Sequence, residues 1–158
     1  MIPASLILTP LLFGLACLLA RRNDRAVRAL AMTGTLATLA LAVLLWMVHM
    51  HWLPMTGEMS SSLRELNLPW IPAIGVSLHL APNGLSVLMV LLTALLGVLS
   101  VAASWRGIVE RVGFFHFNLL LILAGILGVF QAMDFFAFYV FWEVMLVPMY
   151  FLIDVWGH

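Results

Sequence analysis

The 42 residues from Val112 to Ile153, VGFFHFNLLLILAGILGVFQAMDFFAFYVFWEVMLVPMYFLI, decide the fold. A helix crossing about 30 Å of hydrocarbon needs roughly 20 predominantly apolar residues. Here an uncharged run, 112–133, is followed after a single residue, Asp134, by a second run, 135–153, whose one charge is Glu143. One intervening residue leaves room only for an antiparallel pair of membrane-spanning helices. Asp134 suits the N-cap of the second, where its carboxylate accepts free backbone N–H groups at the positive end of the helix dipole.

Working outward, the same criterion selects three more spans, 2–20, 29–53 and 83–105. Composition agrees: 65% of the 158 residues are apolar and 9% are charged, against about 45–50% and about 25% in soluble domains. A soluble globular domain, a disordered chain and a nucleic-acid binder are excluded together. The expected architecture is all-α: one membrane domain over 1–158, with five transmembrane helices. Small residues four apart (Gly34, Thr38 and Ala42; Thr93 and Gly97; Ala124 and Gly128) permit close helix contact.

The arginines orient the chain. The chain has no lysine, and Arg21, Arg22, Arg25 and Arg28 follow the first span. A cleavable signal peptide carries positive charge before its apolar core, so the first span is expected to be retained. The positive-inside rule places the cluster in the cytoplasm, together with Arg106 and Arg111. Only Arg64 falls on the other side, in the segment 55–67 with Glu58 and Glu65. The N-terminus is therefore expected outside and the C-terminus inside. Between spans two and three, the alternation of apolar and polar residues around Gly75–Leu80 predicts a short strand or hairpin arm at the outer interface.

Few residues can carry chemistry. There is no Gly-rich phosphate loop, nucleophile elbow or metal-ligand cluster, and Cys17 reads as a small hydrophobe within an apolar run. His49 and His51 stand about 200° apart on a helix, so they cannot chelate from one face. They belong with Trp46 and Trp52 to an interfacial aromatic belt. His116 reads as a packed histidine, with a proton relay as the alternative. Glu143 differs from all of these. An acid close to the bilayer centre is unfavourable by about 2.5–3.5 kcal/mol on insertion scales, and proton or ion handling is the service such a group performs. Pro148 lacks an N–H and frees the carbonyl of Val144 beside it. At about 100° per residue, Tyr139 lies about 40° from Glu143, and Tyr150 and Asp154 each about 20°. No span contains Lys or Arg to serve as a countercharge.

Three stretches carry a family likeness: WIPAIGVSLHLAPNGLSVLMVLLTALLGVLS (Trp70–Ser100), GFFHFNLLLILAGILGVF (Gly113–Phe130) and FYVFWEVMLVPMYFLIDVWGH (Phe138–His158). The chain resembles the antiporter-like, proton-translocating subunits of respiratory complex I. In the last stretch the pattern of Tyr139, Glu143, Leu146, Pro148 and Trp156–Gly157 is specific to that group. The resemblance implies a multi-pass subunit of the bacterial inner membrane, in a lipid bilayer beside other membrane-arm subunits. It implies no cofactor, metal or redox centre in this chain; NADH, flavin, iron–sulfur clusters and quinone belong to other subunits. No nucleic acid and no small molecule other than protons is expected to bind directly. Glu143 is implied as the residue essential to proton translocation, with Tyr139, Tyr150 and His116 as further candidates. Where the family has Asp before the Gly-Leu-Ser opening the third span, this chain has Asn83. The chain is expected to correspond to the N-terminal third of such a subunit, before the intramembrane lysines that pair with the glutamate, and to be inactive alone. A subunit of a multi-subunit monovalent cation/proton antiporter, and a non-catalytic membrane scaffold, are the alternatives.

Overall fold

A computed structural model describes residues 1–50, 52, 65–71 and 76–157. It contains five long helices: α1 (Ile2–Leu19), α2 (Asp24–His49), α3 (Gly84–Gly107), α4 (Val112–Gln131) and α5 (Phe135–Trp156). All five are long and apolar enough to cross a membrane. Between α2 and α3, strands β1 (Leu66–Ile71) and β2 (Val76–Leu80) pair antiparallel, with Leu66 opposite Leu80 and Leu68 opposite Leu78. The alternation around Gly75–Leu80 thus marks one arm of a hairpin. His51 and the segment 53–64, with Glu58 and Arg64, lie outside the described residues.

Caps set the helix starts. Asn23 accepts hydrogen bonds from the Arg25 and Ala26 N–H groups at 3.2 and 3.3 Å, so α2 begins five residues before the span expected at 29. That correction has a simple cause: apolar counting ignores charged first turns, whereas a capping side chain and Asp24 near the dipole's positive end stabilise one. The helix closes at His49; the expected limit, Leu53, is among the undescribed residues. Asp134 caps α5 as the sequence suggests, accepting from Phe136 N–H at 2.7 Å. Asn83 caps α3 by accepting from Ser86 N–H at 2.9 Å, a role an aspartate would also fill.

Helices α1, α2, α3 and α4 form a closed group, each packed on the next and α4 on α1, with α2 also touching α4. Close approach depends on absent side chains. A Cβ on Gly34 would stand 2.6 Å from that of Phe13, and one on Gly97 would stand 2.9 Å from Leu123. Helix α5 lies outside this group, against α4, where Gly128 admits the ring of Phe141 and Gly125 admits Met145.

The two ends of the bundle differ in charge. At one end the Arg28 guanidinium donates from Nη2 to the Ile108 carbonyl at 3.1 Å, and the six described arginines gather in the α1–α2 and α3–α4 connections and the adjoining turns of α2 and α3. There Trp156 Nε1 donates to the Glu110 carbonyl at 3.2 Å, and its ring lies 5.3 Å from that of Phe115. At the other end, the turn between α4 and α5 is bound to β2. Met133 N–H donates to the His79 carbonyl at 2.9 Å and Ala81 N–H to the Gln131 carbonyl at 3.0 Å, around a bridge between Leu80 and Ala132.

Candidate functional site

Glu143 is the ninth residue of α5, so its Cα lies roughly 12 Å along the axis from the helix start. The Asp134 cap fixes that start and the Gly125–Gly128 seam fixes the rotation about α4. Only Ala137 and Pro148 of α5 are buried, and Glu143 is exposed on the side away from α4. One turn before it, the Tyr139 hydroxyl lies within electrostatic reach of the Glu143 carboxylate. Tyr139 and Tyr150 are 52% and 63% exposed, so both phenols are free to meet a neighbour beyond this chain. Tyr150 lies about two turns beyond Glu143 and packs edge-on against Phe151, with ring centroids 5.7 Å apart. Asp154, in the last turn, is exposed as well.

The site therefore consists of a carboxylate, a phenol one turn from it, and a helix weakened one turn on. Pro148 offers no N–H to the Val144 carbonyl, which leaves an acceptor beside the carboxyl that can hold water. Such an arrangement can accept a proton, hold it, and pass it to a partner on the open side.

His116 is not part of that arrangement. It is fully buried in the closed group, with Nδ1 2.9 Å from the Val112 carbonyl and Nε2 3.5 Å from Ser104 Oγ. It also lies nine residues from Gly125, which faces Met145, and is thus displaced roughly 13 Å toward the arginine end. His49 is half-buried at the end of α2, beside Trp46 and Trp52, whose rings meet edge-on at 5.1 Å. Cys17 is buried, its thiol 3.5 Å from the Val27 carbonyl. Among the described residues there is no group of three or more side chains able to hold a metal ion.

Two polar residues, Asn118 and Gln131, were missed by the sequence reading. Asn118 and Gln131 are each 1% exposed and donate back onto α4, to the Phe114 carbonyl at 2.7 Å and the Leu127 carbonyl at 2.8 Å. Gln131 Oε1 and Arg28 Nε are buried with no partner among the described residues. An amide in an apolar span is the signal that could have found Asn118 and Gln131.

No protein-family model matches the chain. Individual proteins do. The chain is 48% identical over 97% of its length to NADH-quinone oxidoreductase subunit M of Escherichia coli, and 47% identical over 97% to that of Pseudomonas aeruginosa. It is 37% identical over 96% of its length to NAD(P)H-quinone oxidoreductase chain 4 1 of Synechococcus elongatus. Among solved structures, one chain of respiratory complex I from Thermus thermophilus with bound NADH superposes with a TM-score of 0.76 at 28% identity, over 99% of this chain. The chain spans only 28–30% of the length of these curated relatives and 29% of that solved chain. Over nearly its whole length, then, this chain is homologous to the N-terminal part of NADH-quinone oxidoreductase subunit M.

Proposed function

We propose that the chain supplies the N-terminal part of a proton-translocating membrane-arm subunit of an NADH-quinone oxidoreductase, with Glu143 carrying the proton. The observation that carries this reading is the placement of Glu143 deep in a membrane-length helix, exposed on the side away from α4 and one turn from Tyr139. An acid is disfavoured at that depth unless it works. Tyr139 orients the carboxyl, and Tyr150 extends the same polar face toward the arginine end. His116 holds α4 against α3 and is the weakest candidate for a relay, since both its nitrogens already have partners within the bundle. The remaining membrane-arm subunits are its partners, and NADH, flavin, iron–sulfur clusters and quinone lie in other chains of the complex. The arginine end faces the cytoplasm across a bacterial inner membrane, which places the N-terminus outside. Alone, the chain lacks a countercharge for Glu143 and leaves an imposed pH gradient intact in liposomes.

The test uses a complete subunit built on this sequence, with NADH-driven proton uptake into inverted vesicles normalised to assembled complex. Glu143→Gln keeps the shape of the side chain and removes its ionisation. It abolishes or severely reduces pumping while assembly persists, because a neutral amide is easier to insert than an acid. Glu143→Asp retains part of the activity, and NADH-quinone turnover falls with pumping. Near-normal pumping by the Gln variant overturns the reading.

A further inference from the structure

A groove of about 350 Å³ runs along the outside of the bundle where α3 meets α4. It extends from Met89 to Ser100 on α3 and from Leu119 to Phe130 on α4, with Thr35 of α2 also lining it. Twelve residues of helix, eleven steps, make it roughly 16 Å long. Two of its three hydroxyls, those of Ser100 and Thr35 but not Thr93, are already engaged: Ser100 donates to the Leu96 carbonyl at 2.8 Å and Thr35 to the Ala31 carbonyl at 3.1 Å. The lining thus offers hydrocarbon and no free donor at those positions. Its depth comes from Gly97, where a Cβ would collide with Leu123.

The charge distribution assigns a direction. Arg106 lies six residues beyond Ser100, roughly 9 Å along α3. Arg28 lies seven residues before Thr35 on the same face of α2, bonded to Ile108 at the end of α3. The headgroup layer on each side of a bilayer is roughly 5–8 Å thick outside about 30 Å of hydrocarbon. Arginines at the headgroup level therefore put Ser100 near the hydrocarbon boundary, and the groove reaches inward through about one leaflet. At that end of the bundle the described charges are six arginines against Asp24, Glu110 and Asp154. Arg28 Nε is buried there without an acceptor among the described residues.

We propose that this groove holds an acyl chain of one anionic phospholipid, whose phosphate is bound at the level of Arg28 and Arg106. A zwitterionic lipid supplies the same hydrocarbon but no net charge for the arginines. A helix, of another protein or of the rest of a longer subunit, is the competing occupant, and it brings no phosphate to Arg28 Nε.

The test is native mass spectrometry of the chain released from vesicles of equal phosphatidylglycerol and phosphatidylcholine with matched chains. One phosphatidylglycerol is retained per chain, preferred by about tenfold or more, the scale set by two arginines at a membrane surface. Thr93→Phe fills the groove and loses the bound lipid. Arg106→Gln keeps a lipid bound but cuts the preference for phosphatidylglycerol several-fold. A photoreactive residue in place of Leu96, activated in cells, provides a readout that does not depend on any groove-filling variant folding: it yields a lipid adduct. No retained lipid from the unmodified chain, equal retention of both lipids, or a protein adduct at position 96 each overturns the proposal.

Discussion

Helices α4 and α5 are neighbours of similar length and hydropathy, yet they serve opposite ends. More than half of α4 is buried inside the bundle, against about a tenth of α5. Helix α4 touches α1, α2, α3 and α5; α5 has one extensive helix neighbour, α4. The polar groups follow the same division. On α4 the polar side chains His116, Asn118 and Gln131 turn back onto its own carbonyls. On α5 Glu143, Tyr139, Tyr150 and Asp154 are all exposed. In lipid a polar group must be satisfied within the protein or face a polar cavity. A helix that turns most of its polar groups inward is scaffold, Gln131 Oε1 being the exception on α4; a helix that leaves them open awaits a partner.

The sharpest way to break this contrast is to exchange the acid between the helices. Leu127 is fully buried on α4; Leu127→Glu forces a carboxyl among apolar neighbours and should destabilise the bundle by about 3 kcal/mol or more, read as loss of the folded fraction in detergent-induced unfolding. Glu143→Leu, by contrast, should leave that unfolding curve in place. A smaller effect separates the helices by packing. Leu120 is 0% exposed and Val147 is 59% exposed. Truncation of Leu120 to Ala should be destabilising by about 2 kcal/mol, at the low end of the range for buried leucines because lipid tails replace part of the lost contact. Val147→Ala should stay within about 0.5 kcal/mol. Equal shifts for the two would show that α5 is as tightly packed as α4. The mildest change is Tyr139→Phe in the complete subunit. It removes the hydroxyl one turn from Glu143 and should slow pumping a few-fold with assembly unchanged. No change in the pumping rate would deny Tyr139 any part in positioning the carboxyl.

Much of this division was legible in the amino acids. Runs without charge locate the helices because hydrocarbon admits nothing else, and Glu143 stands out in such a run. Asp134 announces the start of α5 by its capping chemistry. Other features depend on tertiary placement that periodicity does not encode. The apolar residues of α4 and α5 look alike in sequence, so which helix is central follows only from the seams at Gly34, Gly97 and Gly128. His116 could have faced either way; packing against α3 decides it. The early start of α2 was concealed because Asp24, Arg25 and Arg28 read as loop when hydropathy alone is weighed.

The attachment of α5 at its two ends has a mechanical consequence. The start of the helix is held by the Met133–His79 hydrogen bond and the Leu80–Ala132 bridge to β2. Its far end is held by Trp156 on the Glu110 carbonyl and by Phe151 against Phe114, with ring centroids 5.6 Å apart. A rod clamped at both ends cannot swing; under load it bows, and the deflection is greatest near mid-length. There Pro148 has removed a rung from the hydrogen-bond ladder, at the Val144 carbonyl. A sideways push on α5 would thus be taken up by curvature next to Glu143, which could shift against its surroundings while both anchors stay still.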